Sequence, residues 1–289
     1  MLRPFEIHQP EDVRGASALL GQYGEDATFY AGGTELLLVM KEGLVRYRHL
    51  IDLKTIPGLN TISYDAEGWV RIGGTATHGE LMHHEIVRRH VPILTNVERK
   101  VANVRVRNVG TIGGNLCFAE PHSDPATLFL VFDAEVELTS QHATRAVPMR
   151  EFFVGPFETV RQPDEVLTRI RLRPWGDRTH GAYMKFGIHE RPTLGVALAV
   201  TLGGAHTTIE DIRIAVGCVG PKPQRAEAAE AVLRGLPLAD AERRLDEAAT
   251  AAAEGLDAIS DLHGSAEYKT EMVKVFTRRA FRDAVVRFQ

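Results

Sequence analysis

The sequence predicts an α+β protein built from two or three packed subdomains, and three observations carry that expectation. The 289 residues are 44% apolar, enough for one large core or two modest ones without disulfides or metal staples. The N-terminal part alternates short β-type and helical patterns. The C-terminal part instead strings strand patterns together before its helices, the order expected of a sheet covered by helices.

Taken in order, residues 5–8 are extended, 11–22 helical, 27–31 a strand, 36–41 a short helix and 49–53 a strand, a compact β-α-β-α-β unit. The helix at 36–41 rests on apolar spacing and is closed by Gly43, which suits a left-handed terminal position. A second segment, 59–173, opens with a strand at 70–72. Thr77-His78-Gly79-Glu80 then has the form of a capping box, so a helix starts there. Further helices are expected at 93–103 and at 125–132, the latter capped by Ser123 or Asp124 with Pro125 in its first turn, followed by an alternating strand at 135–138. Arg173-Pro174-Trp175-Gly176 reads as a linker. Beyond it come strands at 182–187, 194–202 and 209–216, then helices from about 224, 240 and 265. The Ala-rich stretch 247–254 needs only helix propensity.

Composition removes several functional classes. Basic residues number 34 against 38 acidic ones, and the pairs Arg88-Arg89 and Arg105/Arg107 are too short to neutralise a run of phosphates, so no nucleic-acid partner is expected. Cys117 and Cys218 lack the paired spacing of a zinc or iron–sulfur site. The N-terminus has no charged-then-apolar export pattern, and no apolar run approaches the roughly 18 residues that span a bilayer. The expectation is a cytoplasmic protein that is not integral to a membrane, with peripheral membrane contact left open. His84-Glu85 begins like a zinc-protease motif, but the next histidine, His90, is six positions on rather than the four that share a helical face. His78, His83, His84 and His90 are therefore expected on a solvated helix, and no metal ligand or acid–base catalyst is assigned. Cys117 is expected as a small apolar core residue rather than a redox thiol.

Two segments with a Gly-Gly pair share a setting: Tyr30-Ala31-Gly32-Gly33-Thr34-Glu35-Leu36 and Asn108-Val109-Gly110-Thr111-Ile112-Gly113-Gly114-Asn115. Together they suggest a diphosphate cradle. Residues without Cβ let backbone N–H groups approach an anion, Thr34 and Thr111 add hydroxyls, and the helix after Gly33 points its positive end at the site. For either pair alone, a plain sharp turn is the commoner explanation. Neither is a Gly-x-Gly-x-x-Gly fingerprint or a P-loop, which disfavours the two commonest nucleotide folds. A third run, Gly73-Gly74-Thr75, reads as a turn.

The run from Ala31 to Leu37 with Met40-Lys41, the run from Val106 to Asn115, and Glu120-Pro121-His122-Ser123-Asp124-Pro125 resemble the successive flavin motifs of molybdenum hydroxylase medium subunits, of the carbon monoxide dehydrogenase and xanthine dehydrogenase type. Order and spacing both agree. The resemblance continues through Met184-Lys185-Phe186, Gly220-Pro221-Lys222-Pro223-Gln224-Arg225-Ala226 and Gly264-Ser265-Ala266-Glu267-Tyr268-Lys269, so it covers essentially the whole chain.

This resemblance implies an FAD-binding domain of the vanillyl-alcohol oxidase or PCMH type over 1–175, with subdomains at about 1–57 and 58–175. A C-terminal flavoprotein domain, a three-stranded sheet with helices, would occupy 176–289. It implies FAD as this chain's cofactor, its pyrophosphate wrapped by Ala31, Gly32, Gly33, Thr34, Glu35 and Leu36 and by Thr111, Ile112, Gly113, Gly114 and Asn115. Val101 and Ala102 would lie beside the nucleotide, Asp124 would be the acidic position near the cofactor, and Leu167 and Lys185 would sit close to the flavin end. On sequence grounds Asp124 reads equally as the N-cap of the helix at Pro125, and Lys185 as an ordinary snorkelling lysine.

The same resemblance implies an oxidoreductase with two partners. A large subunit bearing the molybdopterin cofactor oxidises the substrate, and a small subunit with two [2Fe-2S] clusters relays electrons to this chain's FAD, in a dimer of heterotrimers. The acceptor and the substrate are not readable. Two departures from the wider family stand out. Two cysteines cannot ligate the four-iron cluster that some relatives carry in this subunit, and the stretch 188–194 lacks both the usual Arg-rich, Asp-containing pattern and an aromatic to shield the ring. A free-standing flavin oxidoreductase and a flavin-free assembly subunit are the alternative readings.

Overall fold

The chain is described by a computed structural model at residues 2–187, 191–204 and 207–288. Its first unit follows the N-terminal alternation: β1 (Glu6–His8), α1 (Val13–Tyr23), β2 (Ala27–Tyr30), α2 (Leu36–Lys41) and β3 (His49–Asp52). The strands form a parallel sheet in the order β1-β3-β2. Helix α1 starts where the Asp12 carboxylate accepts from the Gly15 N–H at 2.7 Å. It packs Ala16 and Leu20 into a small core with Ile51 and Leu53. Because β2 ends at Tyr30, the chain runs from the sheet's C-terminal edge directly into the loop 31–35.

The second unit comprises β4 (Ile62–Tyr64), β5 (Val70–Gly73), α3 (His78–His83), α4 (Glu85–His90), α5 (Pro92–Glu98), α6 (Val104–Val109), α7 (Ile112–Phe118), α8 (Asp124–Val131), β6 (Glu135–Thr139), β7 (Thr144–Pro148), α9 (Met149–Phe152), the short pair β8 (Phe153–Gly155) and β9 (Glu158–Thr159), and β10 (Val166–Leu172). An antiparallel sheet of order β4-β5-β10-β6-β7 forms its floor. The expected capping box is present: the Glu80 N–H donates to Thr77 Oγ1 at 3.1 Å and the Thr77 N–H donates to Glu80 Oε2 at 2.7 Å.

The helix expected over 93–103 is shorter. It ends at Glu98, and Asn103 instead caps α6, its Oδ1 accepting from the N–H groups of Arg105 and Val106. Ala102 takes a left-handed φ of 41°, a conformation that a helix cannot continue through.

The third unit comprises β11 (Thr179–Phe186), β12 (Leu194–Leu202), β13 (Ile209–Gly217), β14 (Gln224–Arg225), α10 (Glu227–Leu233), α11 (Leu238–Arg243), α12 (Leu245–Glu254) and α13 (Ala266–Val286). The expected three-stranded sheet gains a fourth, two-residue strand. Gln224 and Arg225, expected to begin a helix, pair with Val216 and Ala215. The chain bends through residues 218–222 before this pairing, and α10 begins only at Glu227.

Strand β12 is buried along nearly its whole length because both of its faces are covered. Val196, Leu198 and Val200 point to the core shared with α10, α12 and α13. The alternate positions are small, and Ala197 and Ala199 join Ala215 of β13 in the core that contains α8. This alternation of large and small residues lets α8 lie directly on the sheet. At Gly217 a Cβ would sit 1.9 Å from Thr127 Oγ1 of α8. The linker is anchored as well, with Trp175 stacked on Phe132 at a centroid distance of 4.2 Å and 7° between the rings.

Substituting Gly217→Ala should lower unfolding stability by about 1–3 kcal/mol, the usual cost of overpacking. Adding Thr127→Ala should recover part of that loss. Urea denaturation of the two single variants and the double variant measures this, and strictly additive losses would show that the close α8–sheet contact is not the cause.

Candidate cofactor site

The first sheet, helix α7 and the β5–α3 turn enclose a cavity of about 390 Å³. The loop 31–35 forms one wall, and its glycines are dictated by what lies behind them. A Cβ on Gly32 would be 2.2 Å from the carbonyl oxygen of Val109. Gly33 has a φ of +69°, and a Cβ there would be 2.5 Å from the Tyr30 ring. The N–H groups from Gly32 through Leu36 donate to no acceptor among the described residues. Five consecutive backbone donors therefore line the wall without partners, as an anion cradle requires.

The second glycine pair behaves differently from the expectation. Gly113 and Gly114 lie within the first turn of α7 rather than in a strand-to-loop turn. Its N–H groups are already used: Ile112 donates to Ala76 O at 2.9 Å, Gly113 to Gly74 O at 2.9 Å, and Gly114 to Thr111 Oγ1 at 3.1 Å. Gly113 is small because its Cβ would lie 2.5 Å from the Gly74 carbonyl oxygen. What this wall offers the cavity is side-chain chemistry. Thr111 Oγ1 accepts from Gly114 and keeps its own hydrogen to donate, and Asn115 Oδ1 accepts from Ser123 Oγ at 2.7 Å, leaving its amide hydrogens. The Gly73-Gly74-Thr75 run is a turn, and Gly74 and Thr75 also line the cavity.

Fourteen of the sixteen residues singled out in the sequence line this one cavity: Ala31, Gly32, Gly33, Thr34, Glu35, Leu36, Val101, Ala102, Thr111, Gly113, Gly114, Asn115, Asp124 and Leu167. Ile112 does not. Its side chain is fully buried in the main core and its N–H is bonded elsewhere. Lys185 stands just behind the wall, donating to Asp124 Oδ2 at 2.7 Å and to the carbonyl of Lys100 at 2.8 Å.

Lys185 is 8% exposed and Asp124 3%, so the snorkelling reading is set aside. The N-cap reading of Asp124 is also corrected. Ser123 occupies the cap position, and the Asp124 carboxylate turns away from the helix to accept from Lys185 and from the Tyr183 hydroxyl at 2.7 Å. Burial pushes the Asp124 carboxyl above the ordinary range against the opposing pull of Lys185. Burial, reinforced by Asp124, pushes the Tyr183 phenol well up, which keeps it protonated and donating.

The Val101–Ala102 segment is held by Arg107, whose Nη1 donates to both carbonyls at 2.8 and 2.9 Å. Residues that the sequence reading did not assign to the cofactor also line the cavity, among them Phe29, Leu53, His78, Arg161 and Arg191. Arg191 bridges Glu35 and Glu120 at 3.2 and 3.1 Å across the opening. No local signal marks Arg191, because both of its partners are far away in sequence; residues 188–190 of its loop lie outside the described residues. His78, expected on a solvated helix, is instead buried, because its Nδ1 lies 2.6 Å from Oε2 of the buried Glu98. His84 caps α4 and His90 stacks on Tyr64. Cys117 lies on the cavity wall, where burial pushes its thiol up and disfavours the thiolate.

A site with unpartnered backbone donors, hydroxyl and amide donors opposite them, and both of its lining arginines already engaged fits a dinucleotide such as FAD. Residues 3–175 match the family model described as the FAD binding domain in molybdopterin dehydrogenase, and 184–284 match the CO dehydrogenase flavoprotein C-terminal domain. The chain belongs to this family of FAD-binding oxidoreductase subunits. It is 34% identical to the carbon monoxide dehydrogenase medium chain of Hydrogenophaga pseudoflava over 98% of both chains. It is also 34% identical to the nicotine 6-hydroxylase medium subunit of Paenarthrobacter nicotinovorans, over 96% of both. A solved chain of the Hydrogenophaga pseudoflava enzyme, in a form lacking the Mo-pyranopterin moiety of the molybdenum cofactor, superposes with a TM-score of 0.92 at 35% identity, covering 99% of each chain.

Two predictions follow from this geometry. Gly33→Val and Gly113→Val should each abolish FAD retention, read as flavin absorbance per purified chain, and full loading of both would refute the assignment of the cradle. Asp124→Asn should cost about 3–5 kcal/mol, because it leaves the buried Lys185 ammonium without its carboxylate. Asp124→Asn with Lys185→Met should cost clearly less, and a double variant no more stable than the single one in urea would argue against the pairing.

Proposed function

We propose that this chain is the FAD-bearing electron-transfer subunit of a molybdenum hydroxylase. It would receive electrons from the [2Fe-2S] clusters of a small subunit and deliver them through FAD to an external acceptor, while a large molybdopterin subunit oxidises the substrate. The observation that carries this reading is that the N–H groups from Gly32 to Leu36 have no acceptor among the described residues and that their segment lines the same cavity as Thr111 and Asn115. Those groups suit the diphosphate of FAD. Val101 and Ala102, whose carbonyls Arg107 holds, would flank the nucleotide, and Leu167 with the Asp124–Lys185 pair behind it would border the flavin end.

FAD supplies the redox chemistry, so the protein needs no acid–base pair of its own. Its task is to bind, orient and tune. The Asp124–Lys185–Tyr183 group places a paired rather than a bare charge beside that end of the site. Substrate choice is assigned to another chain, since this one is equally similar to medium chains of enzymes named for carbon monoxide and for nicotine. No helix among the described residues is long and apolar enough to cross a membrane. The full reading includes a dimer of heterotrimers located in the cytoplasm.

The test is to denature the purified chain, alone and after coexpression with candidate large and small subunits, and to identify released flavin by chromatography. FAD at about one per chain is expected from the stoichiometry of a single cleft. Reduction of that flavin when the assembled complex receives its substrate would support the electron path, whereas absence of flavin from both preparations would overturn the proposal.

A further inference from the structure

A second cluster of side chains lies on the first sheet, away from the cofactor cavity. Glu6 and His8 are two positions apart on β1 and so share one face, and Glu6 is directly opposite His49 of β3 in the parallel register. The three side chains converge. His8 Nε2 is 3.0 Å from His49 Nδ1, and Glu6 Oε2 is 3.5 Å from His49 Nδ1 and 4.0 Å from His8 Nε2.

We infer that Glu6, His8 and His49 form a binding site for one divalent transition-metal ion of the zinc type. The circumradius of a triangle with these three sides is about 2.1 Å, and zinc bonds to imidazole nitrogen and carboxylate oxygen at about 2.0–2.2 Å. An ion can therefore reach all three atoms with movements of a few tenths of an ångström, which the exposed Glu6 side chain accommodates. The donor set of two imidazoles and one carboxylate is borderline in softness, suited to zinc and poorly suited to magnesium or calcium.

The imidazoles are already aimed. Tyr23 stacks on His49 at a centroid distance of 3.9 Å and lies against His8 at 4.9 Å. In the metal-free chain the two rings face each other nitrogen to nitrogen, which requires one proton between them. The ion takes the place of that proton, which moves to the other nitrogen of the same ring. Water completes the coordination on the open side.

The site clamps β1, a three-residue strand at the start of the chain, to β3. It lies at the N-terminal end of β3, whereas the cradle begins after Tyr30, which pairs with Asp52 at the other end of that strand. Zinc binding is thus separate from flavin binding, and the inference stands or falls independently of the proposed function.

The experiment uses the full chain, flavin-loaded and free of any polyhistidine tag, stripped with chelator and titrated with zinc against a chromophoric competitor. About one zinc per chain is expected, and His8→Ala and His49→Ala should each weaken binding at least about tenfold, as loss of a ligand demands. Zinc should raise the melting temperature of the wild type and not of these variants, with the flavin spectrum unchanged. Magnesium should bind at no comparable level. Because His49 packs on Tyr23, Glu6→Gln and His8→Ala decide the matter if His49→Ala fails to fold. No stoichiometric zinc in the wild type, or wild-type zinc affinity in both Glu6→Gln and His8→Ala, would overturn the site.

Discussion

The cofactor cleft depends on backbone segments that touch with no side chain between them. Gly32 rests on the Val109 carbonyl, Gly113 on the Gly74 carbonyl and Gly74 on the Leu167 carbonyl, and a Cβ at any of these points would come within 2.0–2.5 Å of an oxygen. These contacts run in sequence from the loop after β2, across the α6–α7 junction and α7, through the turn after β5, to β10. The first sheet and the second are thereby joined by main chain, the least compressible material available, and the cavity is the space left beside that seam. The glycines need not all serve the ligand directly. In α7 they bring the helix onto the Gly74 turn, and it is the loop 31–35 that retains free donors.

Helix α8 carries the consequence into the C-terminal unit. Its far side lies on the small-residue face of β12 and β13, and its first residue, Asp124, is held by Tyr183 and Lys185 of β11. Lys185 also holds the Lys100 carbonyl, next to Val101 and Ala102. One buried lysine thus sets the spacing between two cavity walls, and it belongs to a strand that never enters the cavity lining. The C-terminal domain is therefore part of the cleft's support even though the donors come from the first 175 residues.

Much of the fold was legible because its signals are local. The capping box at Thr77 and Glu80, Pro125 in the first turn of α8 and the long apolar strands each depend on a few neighbouring residues. What was missed depends on distance or on context. Three-residue β4 is too short for a period to register, and the break at Ala102 is a left-handed residue with no glycine to announce it. Gly113-Gly114 reads as a turn in any sequence window and becomes helical only because Gly74 supplies a carbonyl for its N–H. Most of the cleft was found through motif order rather than through physics. The Arg191 bridge and the meeting of Glu6 and His8 with His49 each join residues far apart in sequence, and left no trace that composition or spacing can reveal.

The charges around the cleft complete the logic. Glu35 and Glu120 share Arg191, Asp124 is paired with Lys185, and Glu165 with Arg145. Each of these carboxylates has its cation in place, so the groups left to meet a diphosphate are neutral N–H and O–H donors at fixed positions. Such donors stabilise an anion without the desolvation cost of burying a bare lysine or arginine beside it. The same arrangement suits a site that gains and loses electrons. Ion pairs and backbone dipoles already locked by packing have little freedom to reorient when the charge on a neighbouring cofactor changes, so the protein can hold a steady field across both states.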